Sequence, residues 1–222
     1  MKTFAHPFIL ALASGGLSLP AVAQTPLDQF YFTAGLGGVL PDAIEIEDYF
    51  DADPGDHLRL DPGVRFDVGF GYQFSQYLAV ELETGVQVHG VDSADGLFVS
   101  DAYAQTIPIM ANAVFRLPLA SSRIVPYAGA GVGGATVAMD ADLISDGFVS
   151  VSGYDWDAAF AWQAFGGVRW LLNDQFSVGV AYRYYWVGET SLYRSDFPGL
   201  EGSLRLGSFS GHAITATVRF SF

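Results

Sequence analysis

The chain has no cysteine, which excludes a disulfide framework, a thiolate metal site and a thiol nucleophile. Basic charge is scarce: 10 Lys and Arg face 24 Asp and Glu, for a formal charge of −14. A balance of that sign argues against nucleic acid as a partner, because phosphates select basic faces. Long apolar runs are missing as well. Beyond residue 24 no stretch approaches the ~18 consecutive apolar residues of a membrane-spanning helix. What the sequence does hold is 50% hydrophobic residues, 15% aromatics and 26 glycines in 222 positions. Such a chain is too apolar to remain disordered, so it buries or coats something. Its length allows one domain, or at most two small ones.

The first residues read as an address. Lys2 and His6 precede an apolar stretch from Pro7 to Leu19, and Pro20-Ala21-Val22-Ala23-Gln24 places small residues at the spacing a signal peptidase reads. Residues 1–23 are expected to be a secretory signal peptide and residues 24–222 the mature domain. Lys2 is the only lysine, so every basic residue of that domain is arginine.

The mature domain is patterned with period two. Ile214, Ala216, Val218, Phe220 and Phe222 alternate with Ala213, Thr215, Thr217, Arg219 and Ser221, giving one apolar and one polar face. Phe160 to Trp170 and Phe176 to Trp186 repeat the pattern, with Arg169 and Arg183 among the polar set. So do Val64 to Gln73, carrying Arg65 and Asp67, Leu78 to His89, carrying Glu81 and Glu83, and Thr106 to Arg116, carrying Asn112 and Arg116. Phe30 to Leu40 and Val125 to Met139 are glycine-rich runs, and in the second the alternation assigns no faces. The runs number eight. Their connections alternate strictly: short at 75–76, 118–124 and 173–175, long at about 41–62, 91–104, 140–158 and 188–211. Strands of ~10 residues joined by short turns on one side and long loops on the other predict an all-β fold, an eight-stranded antiparallel up-and-down transmembrane β-barrel.

In a closed barrel of eight strands the interior is only wide enough for side chains to fill it. The polar face must be that filling, since unpaired charges in a soluble core would be prohibitive. Arg65, Asp67, Glu81, Glu83, Arg116, Arg169, Arg183 and Arg219 are therefore expected to form an ionic network in the lumen. Arg116, Arg169 and Arg219 fall near the short-turn ends, with Glu81 and Glu83 as their candidate partners. A paired plug is favoured over a selectivity ring for small ions on the size of the lumen. The apolar face then meets lipid, because closure leaves no strand edge in hydrocarbon. Aromatics sort to the strand ends as two girdles: Phe30, Phe74, Phe115, Trp170, Phe176 and Phe222 near the short turns, and Phe160, Trp162, Tyr184 and Trp186 near the long loops.

The residues that carry a family likeness are the terminal strand ending in Phe222, Pro126-Tyr127-Ala128-Gly129-Ala130-Gly131-Val132-Gly133, and Ala164-Phe165-Gly166-Gly167-Val168-Arg169 followed by a tight turn and Val178 to Tyr184. The mature chain resembles the small opacity-protein and outer-membrane-protein-A-like barrels of Gram-negative bacteria. The resemblance implies an outer-membrane location in contact with lipid and lipopolysaccharide, a monomer, and Phe222 as part of the signal read by the barrel-assembly machinery. It is vague for activity, since such barrels include adhesins, serum-resistance proteins, small pores and lipid-modifying enzymes.

The long links hold nineteen of the 24 acidic residues against three arginines, Arg59, Arg194 and Arg205. An outer rim of that sign attracts cations. Two uses are open for it: divalent ions bridging its carboxylates to lipopolysaccharide phosphates, or a cation contact at Asp51, Asp53 and Asp56. The segment lacks the ligand spacing and the terminal Glu of a calcium loop, and solvated acidic loops are the plainer reading. No cofactor or resident metal is expected. Catalysis has little support: the histidines of the mature chain are His57, His89 and His212, and Ser210 near His212 is the nearest approach to a nucleophile and base. The expected role is non-enzymatic, surface interaction or envelope integrity through acidic extracellular loops. A narrow channel for small cations comes second and a lipid-modifying enzyme third, and the extracellular ligand is unnamed by the sequence.

Overall fold

The period-two pattern folds as it reads. The computed structural model describes residues 30–50, 57–119, 122–197 and 200–222. The signal-peptide expectation and the Asp51, Asp53 and Asp56 segment lie outside those residues. The strands are β1 (Phe30–Pro41), β2 (Ile44–Tyr49), β3 (His57–Leu60), β4 (Gly63–Gln73), β5 (Leu78–Ala94), β6 (Phe98–Arg116), β7 (Ile124–Ser145), β8 (Ser150–Leu171), β9 (Phe176–Val187), β10 (Thr190–Phe197), β11 (Leu200–Leu206) and β12 (Phe209–Ser221). Eight of them, β1, β4, β5, β6, β7, β8, β9 and β12, pair antiparallel in a ring that the β5–β6 ladder closes. These contain the eight runs of the sequence.

Side chains sort by face as a bilayer requires. Val64, Phe66, Val68 and Phe70 of β4 point outward and are exposed, while Arg65, Asp67 and Gln73 point inward and are buried. The glycine-rich β7 resolves the same way: Val125, Tyr127, Ala135, Val137 and Met139 are buried inside, and Ala128, Ala130 and Val132 are exposed. Phe30, Phe74, Phe115, Trp170, Phe176 and Phe222 are exposed at the short-turn end. At the other end Phe160 and Trp162 are exposed and Tyr184 and Trp186 half-buried, with Trp162 tilted against Tyr184 and Phe160 tilted against Trp186. Phe66 lies between the two girdles, so the belt is not purely aliphatic there. Short turns are fixed by side-chain acceptors: Ser75 Oγ takes the Tyr77 and Leu78 amides, and Asn173 Oδ1 takes those of Gln175 and Phe176.

Above the belt the structure departs from the picture of solvated loops. In their described residues all four long links run as antiparallel strand pairs that prolong the barrel wall. β5, β6, β7 and β8 simply continue, and the shorter strands are extended after two-residue joints, β1 by β2, β4 by β3, β9 by β10 and β12 by β11. The joints stay bonded: Asp42 N donates to Ser210 O at 2.9 Å, Asp61 N to Gly90 O at 2.9 Å, Gly188 N to Phe160 O at 2.9 Å and Gly207 N to Glu45 O at 2.8 Å. The pairing order of the membrane portion is kept in this collar through β10–β11, β11–β2, β2–β3 and β3–β5. Between β8 and β10 no ladder forms among the described residues, and carboxylates stand in for backbone acceptors: Asp157 takes the Ser191 amide at 2.8 Å and Asp155 that of Tyr193.

The collar has its own core. Ile44, Ile46, Tyr49, Leu58, Met139, Ile144, Leu192, Leu204 and Leu206 are buried together, with only about 10 Å³ of cavity among Ile46, Leu58, Met139 and Leu206. The sequence signal was present and short: Ile44 and Ile46 alternate with Glu45 and Glu47, and Leu204 and Leu206 flank Arg205. Tyr49 donates its hydroxyl to Ile144 O at 2.9 Å, and burial pushes that phenol up to about 12, with the Asp146 charge adding to the shift. Asp146 caps the β7–β8 tip, where the Val149 and Phe148 amides hold its carboxyl below the usual range. Replacing Leu206 by Ala should cost about 2–5 kcal/mol of collar stability. The expected readout is faster tryptic cleavage at Arg59, Arg194 or Arg205, while the unheated protein still migrates as a compact barrel. Equal resistance of parent and variant would contradict a packed collar.

Candidate functional site

The lumen is organised by glycines that let rings lie flat against the wall. Tyr31 is paired directly across from Gly71, Phe165 from Gly129 and Tyr127 from Gly167. A Cβ at Gly71 or Gly129 would collide with the ring opposite, and one at Gly167 with the Val180 carbonyl and the Tyr127 hydroxyl. Each ring in turn carries an arginine: Arg219 stands 3.6 Å from the Tyr31 centroid, Arg169 4.4 Å from Tyr127 and Arg183 4.9 Å from Phe165. Glycine, ring and guanidinium form one stacked unit, used three times around the ring, and two of the stacks, those of Arg169 and Arg219, hold a cation with no carboxylate among the described residues within 4.0 Å.

Midway up, Glu83 ties the ring together. It reaches from β5 and receives Arg65 Nη2 of β4 at 2.8 Å, Arg183 Nη2 of β9 at 3.0 Å and Asn112 Nδ2 of β6 at 3.1 Å, with Arg183 Nη1 in ion-pair contact at 2.9 Å. Gln163 Nε2 of β8 donates to Asn112 Oδ1 at 2.8 Å and faces Glu83 at 3.4 Å. Arg65 Nε also bonds Asp67 at 3.2 Å. All of these residues are buried, so four strands meet on one carboxylate across the full width of the lumen. Breaking a buried ion pair by removing one charge typically costs ~3–5 kcal/mol.

Toward the short turns the layer changes character. Arg116 Nη1 and Arg219 Nη2 both donate to Gln73 Oε1, and Glu81 accepts from Thr33 Oγ1 at 3.2 Å. All eight ionisable residues expected in the lumen face it. Their pairing differs from the expectation: Glu83 takes Arg65 and Arg183, and no carboxylate among the described residues lies within 4.0 Å of Arg116, Arg169 or Arg219. The reason is stagger. Tilted strands shift register from neighbour to neighbour, so residues equally far from their own turns do not share a level. Asn112, Gln163 and Gln73 stand on the polar side of the alternation and join the network without a charge to single them out in the sequence. Phe165 stands on the polar side of its alternation, whereas Tyr127 lies in the glycine-rich run whose faces the sequence does not assign.

Outside the lumen, Ser210 and His212 are engaged separately, Ser210 with Asp42 and His212 with the Tyr182 hydroxyl at 2.7 Å. They form no nucleophile–base pair. On the collar the three arginines are held by carboxylates: Arg59 by Asp95 at 2.6 Å, Arg194 by Asp157 at 3.0 Å and Arg205 by Glu47 at 2.9 Å. No group of three or more metal-ligating side chains converges among the described residues. Phe222 closes the short-turn rim, stacked near Phe30, Phe32 and Phe220.

Comparison with known proteins agrees with this architecture. The model of the outer membrane protein beta-barrel domain matches residues 9–222. An uncharacterized protein of Brucella abortus is 28% identical over 210 residues, covering 75% of this chain and 71% of the relative. Among solved structures, OprG of Pseudomonas aeruginosa superposes with a TM-score of 0.58 at 16% identity, covering 87% of this chain and 97% of that one. AlkL, determined in DMPC bilayers, gives 0.53 at 18% identity, covering 100% and 98%. Neisserial surface protein A gives 0.51 at 16%, covering 87% and 97%. At these identities the likeness is one of fold.

Substituting Glu83 by Gln should lower stability by roughly 3–5 kcal/mol, whereas Arg205→Gln, which opens an exposed pair, should change it by about 0–1 kcal/mol. The temperature at which the compact gel species is lost reports both. Equal effects would contradict a buried, cross-lumen role for Glu83.

Proposed function

Since the chain belongs to the outer-membrane β-barrel family, we propose that it is a non-enzymatic surface protein, a sealed barrel that holds a rigid acidic collar outside the cell. The observation that carries this reading is the double closure of the lumen. The Glu83 layer fills the membrane portion, and the packed apolar core fills the collar. A barrel closed at two levels serves as a mount rather than a passage.

The collar is what such a mount offers to the outside. Asp42, Glu45, Asp61, Asp92, Asp101, Asp140, Asp142, Glu189, Asp196 and Glu201 are exposed on it, and its arginines are neutralised by neighbouring carboxylates. Fixed on β-hairpins, these charges make a dispersed negative surface that draws cationic partners and is weakened by salt. Lipopolysaccharide phosphates reached through divalent ions fit it, as does a cationic surface on another molecule. The exposure of Phe222 at the short-turn rim supports its reading by the barrel-assembly machinery, and a ring that closes within one chain supports a monomer. The cation-channel alternative is weakened by the five arginines that outnumber three carboxylates in the lumen. The enzyme alternative draws no support from Ser210 and His212, which are engaged with Asp42 and with the Tyr182 hydroxyl rather than with each other.

Refolded protein in a planar bilayer should show no discrete openings in potassium chloride, and Glu83→Ala should introduce them by removing the acceptor that four strands share. Steady cation-selective conductance of the parent protein would overturn the sealed-mount reading in favour of the channel.

A further inference from the structure

Exposed aromatic residues do not stop at the outer girdle. On β8, Tyr154 and Trp156 continue the outward alternation of Phe160 and Trp162, and they are 61% and 57% exposed. The alternate residues Asp155 and Asp157 hold the β10 amides of Tyr193 and Ser191, which fixes the strand with the two rings facing outward. Register carries the face across two more strands. Tyr103 of β6, Asp140 of β7 and Tyr154 form one row, and Gln105, Ala138 and Trp156 form the next row on the same face, toward the membrane. Tyr103 and Asp140 are exposed, while Ala138 lies buried between Gln105 and Trp156. Three rings and a carboxylate therefore surround an alanine floor. On β2, β3, β10 and β11 the exposed positions among the described residues are charged, His57 apart, and none is aromatic.

Membrane lipid does not account for this face. Trp156 and Tyr154 stand six and eight residues beyond Trp162 of the girdle, roughly 15–20 Å further out at the tilt of a barrel strand. A headgroup region adds only ~5–8 Å to each side of the hydrocarbon. In an outer leaflet of lipopolysaccharide that height is occupied by saccharide. The chemistry fits a neutral sugar. Tyr and Trp rings offer flat apolar surface to the C–H faces of a pyranose, and Asp140 between Tyr103 and Tyr154 offers acceptor oxygens to its hydroxyls. Two strand spacings separate those tyrosines, about 10 Å between Cα atoms, the width of one hexose with its substituents. Asp142, exposed two residues beyond Asp140, adds a second negative charge that opposes phosphorylated or acidic sugars.

We propose that the outward face of β6, β7 and β8 above the girdle binds the neutral hexoses of the lipopolysaccharide core, with Tyr103, Tyr154 and Trp156 as stacking surfaces and Asp140 as acceptor. The face is continuous with the lipid-facing wall, so one lipopolysaccharide molecule lies with its acyl chains below the girdle and its core sugars on these rings. This contact is separate from divalent bridging of phosphates by the acidic collar, and it holds whether or not the lumen conducts.

The test is oxidative footprinting, read residue by residue by mass spectrometry, on the refolded protein in vesicles of three kinds: lipopolysaccharide with its hexose core, lipopolysaccharide truncated before its first hexose, and phospholipid with a soluble neutral glucan. In the first, Tyr103, Tyr154 and Trp156 should be protected severalfold relative to the second, while Phe148, 97% exposed near the β7–β8 tip, reacts equally in both. Asp140→Ala should reduce the protection of both tyrosines, and Arg205→Gln on another sector of the collar should leave it unchanged. Equal reactivity of the three rings in the first two vesicles overturns the proposal. If they are protected in both, lipid or the acidic inner sugars cover the face, and if that protection grows with protein density, a second copy covers it. Protection by the soluble glucan equal to that by the hexose core also overturns it, in favour of a glycan from outside the membrane.

Discussion

The constraint on which this molecule rests is that every backbone N–H and C=O of its wall must be paired within the wall. Hydrocarbon offers no alternative partner, so the strands close on themselves through β5 and β6. With eight strands, closure leaves a lumen one side chain deep from any direction. The rest follows from that narrowness. Polar side chains that face inward can be satisfied only by one another, and a single carboxylate at the centre can be reached from β4, β6, β8 and β9 at once.

Glycine is the means by which so narrow a tube holds arginine and aromatic residues together. At Gly71, Gly129 and Gly167 the absence of a side chain lets the neighbouring ring lie down, and the ring then supports a guanidinium. A larger side chain there would push the ring into the lumen and displace the arginine from its seat. Within β7 the plug thus requires glycine at Gly129, against Phe165, and at Gly131, against Asn112, and the strand's outward face, with Ala128, Ala130 and Val132, remains compatible with lipid.

Much of this was readable beforehand because both a bilayer and a lumen impose period two. The eight strands, the faces of all but the glycine-rich β7, and the inward orientation of Arg65, Asp67, Glu81, Glu83, Arg116, Arg169, Arg183 and Arg219 follow from alternation alone. Two features did not. Which carboxylate meets which arginine depends on stagger between tilted strands, a quantity no single strand encodes, and so Glu83 pairs with Arg65 and Arg183 rather than with the cluster near the turns. The collar was hidden for a different reason. Its apolar alternations, Ile44 with Ile46 and Leu204 with Leu206, span only a few residues each and are surrounded by Asp and Glu, so acidity masked a core that forms only when four hairpins stand side by side. Outer-membrane membership is a property of the fold and of the family model, while the partner of the collar is a matter of surface chemistry that neither specifies.

The central claim is a single paired wall that runs from the short turns, through the bilayer, to the hairpin tips. Amide hydrogen exchange on the refolded protein tests it most directly. Protection should extend without a break from β1, β4, β9 and β12 across the two-residue joints into β2, β3, β11 and the paired face of β10, with faster exchange at the tips. Full exchange of β2, β3, β10 and β11 in the earliest time points, beside a protected membrane portion, would contradict the account and return the long links to loops.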